Sequence, residues 1–122
     1  MQTIAIRLTP GQDLKDELDQ LAHQRALDAA CVLTCVGSLR RANLRFANRD
    51  YATTLDGKFE IISLTGTFSR HGSHYHIALS DGDGHCVGSH LLSGCHIYTT
   101  AEIIITGSIS TYLPSIPACI KH

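Results

Sequence analysis

Two periodicities divide the chain. Between residues 13 and 28, Leu14, Leu18, Leu21, Ala22 and Ala26 recur at three- and four-residue intervals, the spacing of one apolar helix face. Asp13, after the "TPG" turn, is placed to accept from the first unpaired N–H groups of that helix. The remaining apolar residues fall in β-branched and aliphatic runs. These predict a strand at 3–8 ("TIAIRL"), a strand through "AACVLTCVGSL" ending at Gly37, and "ANLRFAN" as its hairpin partner. A further strand is expected around Phe59–Leu64, then a hairpin over 73–91, then a β-rich run around Ile103, Ile104 and Ile105. One helix near the N-terminus and several strands without helical crossovers predict an α+β fold: a single domain over 1–122 with a largely antiparallel sheet.

The hairpin carries the candidate chemistry. Its sequence, "SHYHIALSDGDGHCVGSH", holds His74, His76, His85 and His90, four of eight histidines in the chain. Side chains alternate faces along a strand, so same-face residues share parity. Tyr75, Ile77 and Leu79 on one strand, with Val87 and Leu91 on the other, form an odd-numbered apolar set. A three-residue loop at Gly82-Asp83-Gly84, with glycines for positive φ, keeps odd opposite odd and places His76 directly opposite His90. His74 then shares their face, and Gly88 lies opposite Ala78. Opposed Cβ atoms are roughly 4.5–5.5 Å apart, close enough for both rings to reach one ion.

This register makes His74, His76 and His90 a candidate three-nitrogen site. Neutral imidazoles suit zinc and other late first-row divalent ions, and three protein ligands leave one position open. The alternative is a polar outer sheet face with unliganded histidines. Cys86 falls on the same face one pair beyond Gly88, as a conceivable fourth ligand. His85 belongs to the loop and His71 precedes the strand, both in solvent.

Composition narrows the classes. An apolar fraction of 43% and a charged fraction of 17% describe a globule of 122 residues, enough for one domain with its own core. No apolar run reaches the roughly 18 residues of a membrane span, and the start lacks a signal-peptide pattern. A cytoplasmic location is the expectation. Five cysteines, irregularly spaced and without a C-x-x-C pair, do not suggest a disulfide framework. Cys31 and Cys35 read as small buried hydrophobes in a strand. Net charge is −1, which supplies no general attraction to nucleic acid. The one local concentration is Arg40, Arg41, Arg45 and Arg49: either the solvated side of an edge strand or hairpin, or a stripe contacting DNA phosphates. No nucleophile elbow, phosphate-binding loop or paired-carboxylate motif is present.

The segment "HYHIALSDGDGHCVGSHLLSG" resembles the signature of the PPC domain, the plant and prokaryote conserved domain: His-x-His, an aliphatic-Ser-Asp turn, then a His-Leu and Gly. "RLTPGQDL" at 7–14, "GSL" at 37–39, "FEIISLTGT" at 59–67 and "TTAEIII" at 99–105 agree with it, so the resemblance spans about residues 5–105. Ser89 departs from the usual glycine pair before His90. The tail "STYLPSIPACIKH" lacks the family's Arg, Asp and Gly-Tyr elements, so a shortened or rearranged last strand is expected. The resemblance implies a stand-alone prokaryotic-type domain that assembles as a homotrimer. It also implies a metal held by His74, His76 and His90, and the donor chemistry makes zinc the first expectation among divalent ions. Plant members bind DNA through a separate AT-hook with an Arg-Gly-Arg core, and the chain contains no such segment.

Three functions follow as expectations. One is a trimeric, metal-binding PPC protein with a DNA-associated or regulatory role, its DNA contact weak and electrostatic. Another is a metal-dependent enzyme on a small molecule at the subunit interface, with Glu60 or Glu102 as general base; on the residues alone, non-enzymatic readings are favoured. The third is an oligomerisation module fastened by metal.

Overall fold

The structure, a computed structural model, describes residues 1–109. The element order is β1 (Gln2–Leu8), α1 (Leu14–Gln24), β2 (Ala29–Arg45), β3 (Thr53–Ser69), β4 (Gly72–Ser80), β5 (Cys86–Leu91) and β6 (His96–Ser108). The strands form one antiparallel sheet in the order β1-β6-β2-β3-β4-β5. β5 also turns back onto the end of β2 through Leu44↔Leu91 and Arg45↔His90, closing that half of the sheet on itself. The tail that carries the expected rearrangement lies outside the described residues.

α1 covers the core face. Leu14, Leu18 and Ala22 are fully buried, and each such leucine contributes about 1.5–3 kcal/mol by leaving water. Asp13 caps the helix as its position implied, accepting from the Asp16 N–H at 3.0 Å. Its other oxygen accepts from the Gly94 N–H at 2.6 Å, tying the helix start to the β5–β6 connection. The helix ends at Gln24, short of the expected 28. Ala26 takes a positive φ of 51°, the left-handed turn that closes helix ends, and this reversal drops Leu27 into the core.

The largest difference from the pattern lies in β2. The two strands expected on either side of Gly37 are one strand of 17 residues, with bulges at Gly37/Leu39 and Leu39/Arg41 against β6. Gly37 is a point of close approach rather than a turn. A Cβ there would lie 2.2 Å from the Thr100 carbonyl oxygen, so only glycine lets β6 pass at that distance. β2 is consequently central, flanked by β6 and β3, and the arginines of its C-terminal half do not sit on an edge strand.

The outer face of the sheet is not uniformly polar. Leu33 and Val36 on β2 and Ile62 on β3 are more than half exposed. No helix of the described residues is long and apolar enough to cross a membrane. Cys31, Cys35, Cys86 and Cys95 are free thiols, Cys35 and Cys95 buried and Cys31 half-buried. Burial pushes the Cys35 and Cys95 thiols up to about 11, so both stay protonated and inert.

Candidate metal centre

The β4–β5 hairpin adopts the register that its apolar parity requires. His76 pairs with His90, Ala78 with Gly88 and Leu79 with Val87. The Asp81 N–H donates to the His85 carbonyl at 2.9 Å, leaving 82–84 as the loop. Gly84 alone supplies the positive φ, at 81°. Tyr75, Ile77, Leu79 and Leu91 are buried, Val87 half-buried. The core side of the hairpin thereby fixes which residues face outward.

On the outward face the three histidines converge. His74, His76 and His90 each offer a ring nitrogen, and these atoms lie within 4.8 Å of one another. The His74 and His90 rings are nearly parallel, with centroids 5.4 Å apart and planes at 11°. His76 stands edge-on to both, at 4.9 Å from His74 and 4.7 Å from His90. Nitrogens around a tetrahedral zinc at about 2.0–2.1 Å lie roughly 3.4 Å apart. A modest turn of the rings reaches that spacing from the observed one, so the donor set fits such an ion. His74 and His90 are half-buried and His76 is exposed.

Electrostatics favour the ligand form of His90. Partial loss of water, then the Arg45 guanidinium, then His76 and His74 lower its pKa below the usual imidazole range. A neutral ring keeps a lone pair for a metal. His74 lies opposite Thr67 and His76 opposite Thr65 on β3, and a cavity of about 320 Å³ there also reaches Cys31. A second cavity borders His76 and His90 from the Ser63, Gly88 and Ser89 side.

Other candidates lie elsewhere. Cys86 is exposed, opposite Ser80 at the loop end of the hairpin, and is not among the converging ligand atoms. Glu102 is exposed and accepts from Arg7 at 3.1 Å. Glu60 is exposed, paired in the sheet with Ser38 and Ser80. Neither carboxylate borders the cavities around the histidines. His71 and His85 are exposed. His85 lies in the hairpin loop with Asp81 and Asp83, where Asp81 accepts from the N–H groups of Asp83 and His85 at 2.9 Å each.

The four arginines meet four different surroundings. The Arg41 Nε donates to Asp56 at 2.8 Å. The Arg49 guanidinium lies over the Tyr51 ring, 5.8 Å from its centroid. Arg40 is exposed, with its guanidinium near Gly11. Arg45, half-buried, is the strand partner of His90. The sequence pattern did not show this last relationship, because only the return of β5 onto β2 brings the two together.

A small antiparallel α+β domain, closed over one helix and bearing a convergent imidazole triad on its outer face, is the class this geometry defines. The sequence profile of the Plants and Prokaryotes Conserved (PCC) domain matches residues 1–109, and the chain belongs to that family. It is 44% identical over 109 residues to the bifunctional protein GlmU of Synechococcus sp. (strain JA-3-3Ab), covering 89% of this chain and 18% of that protein. The chain thus spans less than a fifth of the length of that relative. A hypothetical protein from Salmonella enterica has the same fold, at TM-score 0.85 and 41% identity, over 88% of this chain and 77% of the other. Two further structures share the fold at lower identity. A candidate DNA-binding protein from Bacteroides thetaiotaomicron matches at TM-score 0.81 and 20% identity, over 94% and 87% of the two chains. The metal-containing protein AF0104 from Archaeoglobus fulgidus matches at 0.75 and 23%, over 88% and 81%.

Proposed function

We propose that this chain is a metal-binding PPC-domain module that holds one divalent ion, zinc by donor chemistry, through His74, His76 and His90. The observation that carries this reading is the convergence of three ring nitrogens within 4.8 Å on a hairpin whose core side leaves them no other face. A ligand set of three neutral nitrogens suits zinc and leaves a fourth position for water or another ligand. The description of the Archaeoglobus protein as metal-containing agrees with it.

The module works as a homotrimer in this reading. Leu33, Val36 and Ile62, exposed on neighbouring strands, are the apolar surface such an assembly would cover. Free thiols suit the reducing cytoplasm. A DNA-associated or regulatory role is supported by the description of the Bacteroides protein. With a net charge of −1, contact with DNA would be electrostatic and modest. An enzymatic reading would use the ion as a Lewis acid at its open position, and it needs a base other than the distant Glu60 and Glu102.

The test is metal analysis of protein purified without added zinc, beside a His76→Ala variant. About one ion per chain in the parent and strong depletion in the variant are expected. Equal metal content in the two would overturn the assignment.

A further inference from the structure

β5 pairs with β4 only as far as His76↔His90, and beyond that last pair lies a cavity of about 410 Å³. His74 and His90 line it, together with the cationic side chains of Lys15 and Arg45. The Lys15 ammonium is held by Asp19 at 2.6 Å. Arg45 is different: among the described residues, no carboxylate pairs with it, although it is half-buried. It donates a hydrogen bond, at 3.3 Å, to the Arg49 carbonyl. Among the described residues, no Asp or Glu lines this cavity or the cavities on the Thr65 and Ser63 sides of the histidines.

A divalent ion on the three imidazoles would therefore sit beside a guanidinium that no described carboxylate pairs, with no Asp or Glu of the described residues lining the site. Two like charges this close repel unless an anion lies between them. We propose that the anion is a small organic carboxylate, taken up by the open metal position together with the planar fork of Arg45. A guanidinium matches a carboxylate with two parallel N–H donors. Leu91 and Leu92, which also line the cavity, suit an acid with a short apolar body rather than a bare inorganic ion. This inference rests on the metal site proposed above and assigns Arg45 to small-molecule binding.

The test uses the full chain loaded with cobalt(II), whose visible spectrum reports the ligands on the ion. Pyruvate and acetate are titrated in, with uncharged pyruvamide as the comparator and calorimetry as the second readout. Pyruvate is expected to change the cobalt spectrum and pyruvamide to leave it unchanged. Arg45→Gln should weaken pyruvate about tenfold or more at unchanged cobalt content, and Arg45→Lys should weaken it less. Full-strength pyruvate binding by Arg45→Gln, equal binding of pyruvamide, or no response to either acid by loaded protein would overturn the inference and leave the metal site standing. Binding of inorganic phosphate instead, with the same dependence on Arg45, would overturn the carboxylate in favour of phosphate. Failure of the chain to take up cobalt would remove the metal reading and this inference with it.

Discussion

The Tyr75 hydroxyl donates to Asp19 Oδ1 at 2.9 Å, joining the strand that carries two candidate ligands to the helix on the opposite side of the sheet. Tyr75 lies between His74 and His76 in sequence and is 1% exposed. Its ring packs on Phe68 with centroids 5.5 Å apart. Burial, the Asp19 charge and this hydrogen bond all push its phenol above the ordinary range, so it remains a donor. Tyr75→Phe keeps the ring and removes only the hydroxyl. Asp19 retains Lys15 as a partner, so the expected cost is about 1–2 kcal/mol in urea unfolding. Metal content should hold, because the ring, not the hydroxyl, sets the parity of the flanking histidines.

Gly88 permits the register itself. A Cβ there would lie 2.3 Å from the Ile77 carbonyl oxygen, a backbone atom that cannot swing away. Gly88→Ala must separate β4 from β5 beside the His76↔His90 pair. A loss of about 1–3 kcal/mol is expected from overpacking, together with weaker zinc binding, read by competition with a chelating dye. Unchanged zinc affinity in a destabilised variant would show that the histidines do not depend on this spacing.

Asp81 closes the hairpin loop through its carboxylate. The backbone N–H groups of His85 and Asp83 hold its carboxyl below the ordinary value of 3.8. A carboxyl whose folded pKa is lowered stabilises fully above its unfolded pKa, and that contribution disappears as pH falls through the lower folded value. Asp81→Ala is therefore expected to speed amide exchange at residues 83–85 at neutral pH. The difference from the parent should vanish in acid below the ordinary carboxylate range.

The hairpin was legible in the sequence because its two strands carry redundant signals. Tyr75, Ile77 and Leu79 agree with Leu91 in parity, and the Gly-Asp-Gly loop admits one register that satisfies both. β2 was not legible, because glycine has two uses. Gly37 reads as a strand end, but its role is to admit the Thr100 carbonyl, and nothing in the neighbouring residues separates those roles. The helix end was missed for a related reason: Ala26 takes a left-handed φ in which glycine is the usual signal. The Arg45↔His90 pairing is a product of sheet closure, and local periodicity carries no information about it.

The assembly prediction concerns the exposed aliphatics. Sedimentation equilibrium at micromolar concentration should give three times the 13.2 kDa chain mass. Replacing Val36 and Ile62 together by Glu should shift the mass to that of the monomer, because charges do not bury in an apolar contact. A parent protein that sediments as a monomer would count directly against the trimer. A variant that still sediments as a trimer would place the interface elsewhere on the sheet.

Binding to DNA is expected to be weak and without sequence preference. The chain is slightly acidic overall, and one of its exposed arginines, Arg41, is already paired with Asp56. A trimer would gather three copies of Arg40, Arg41 and Arg49, the local cluster of basic residues in the sequence. Affinity gained that way comes from counterion release, so its logarithm should fall linearly with the logarithm of salt, by about 0.9 per phosphate contact. Alanine at all three positions should reduce both the affinity at low salt and the slope. Arg45, half-buried beside His90, is left in place in that variant so that the change is confined to the exposed arginines. Fluorescence anisotropy with duplexes of unrelated sequence, at several salt concentrations, measures both quantities. Tight, sequence-selective binding at physiological salt that survives the triple change would place the DNA surface away from these arginines.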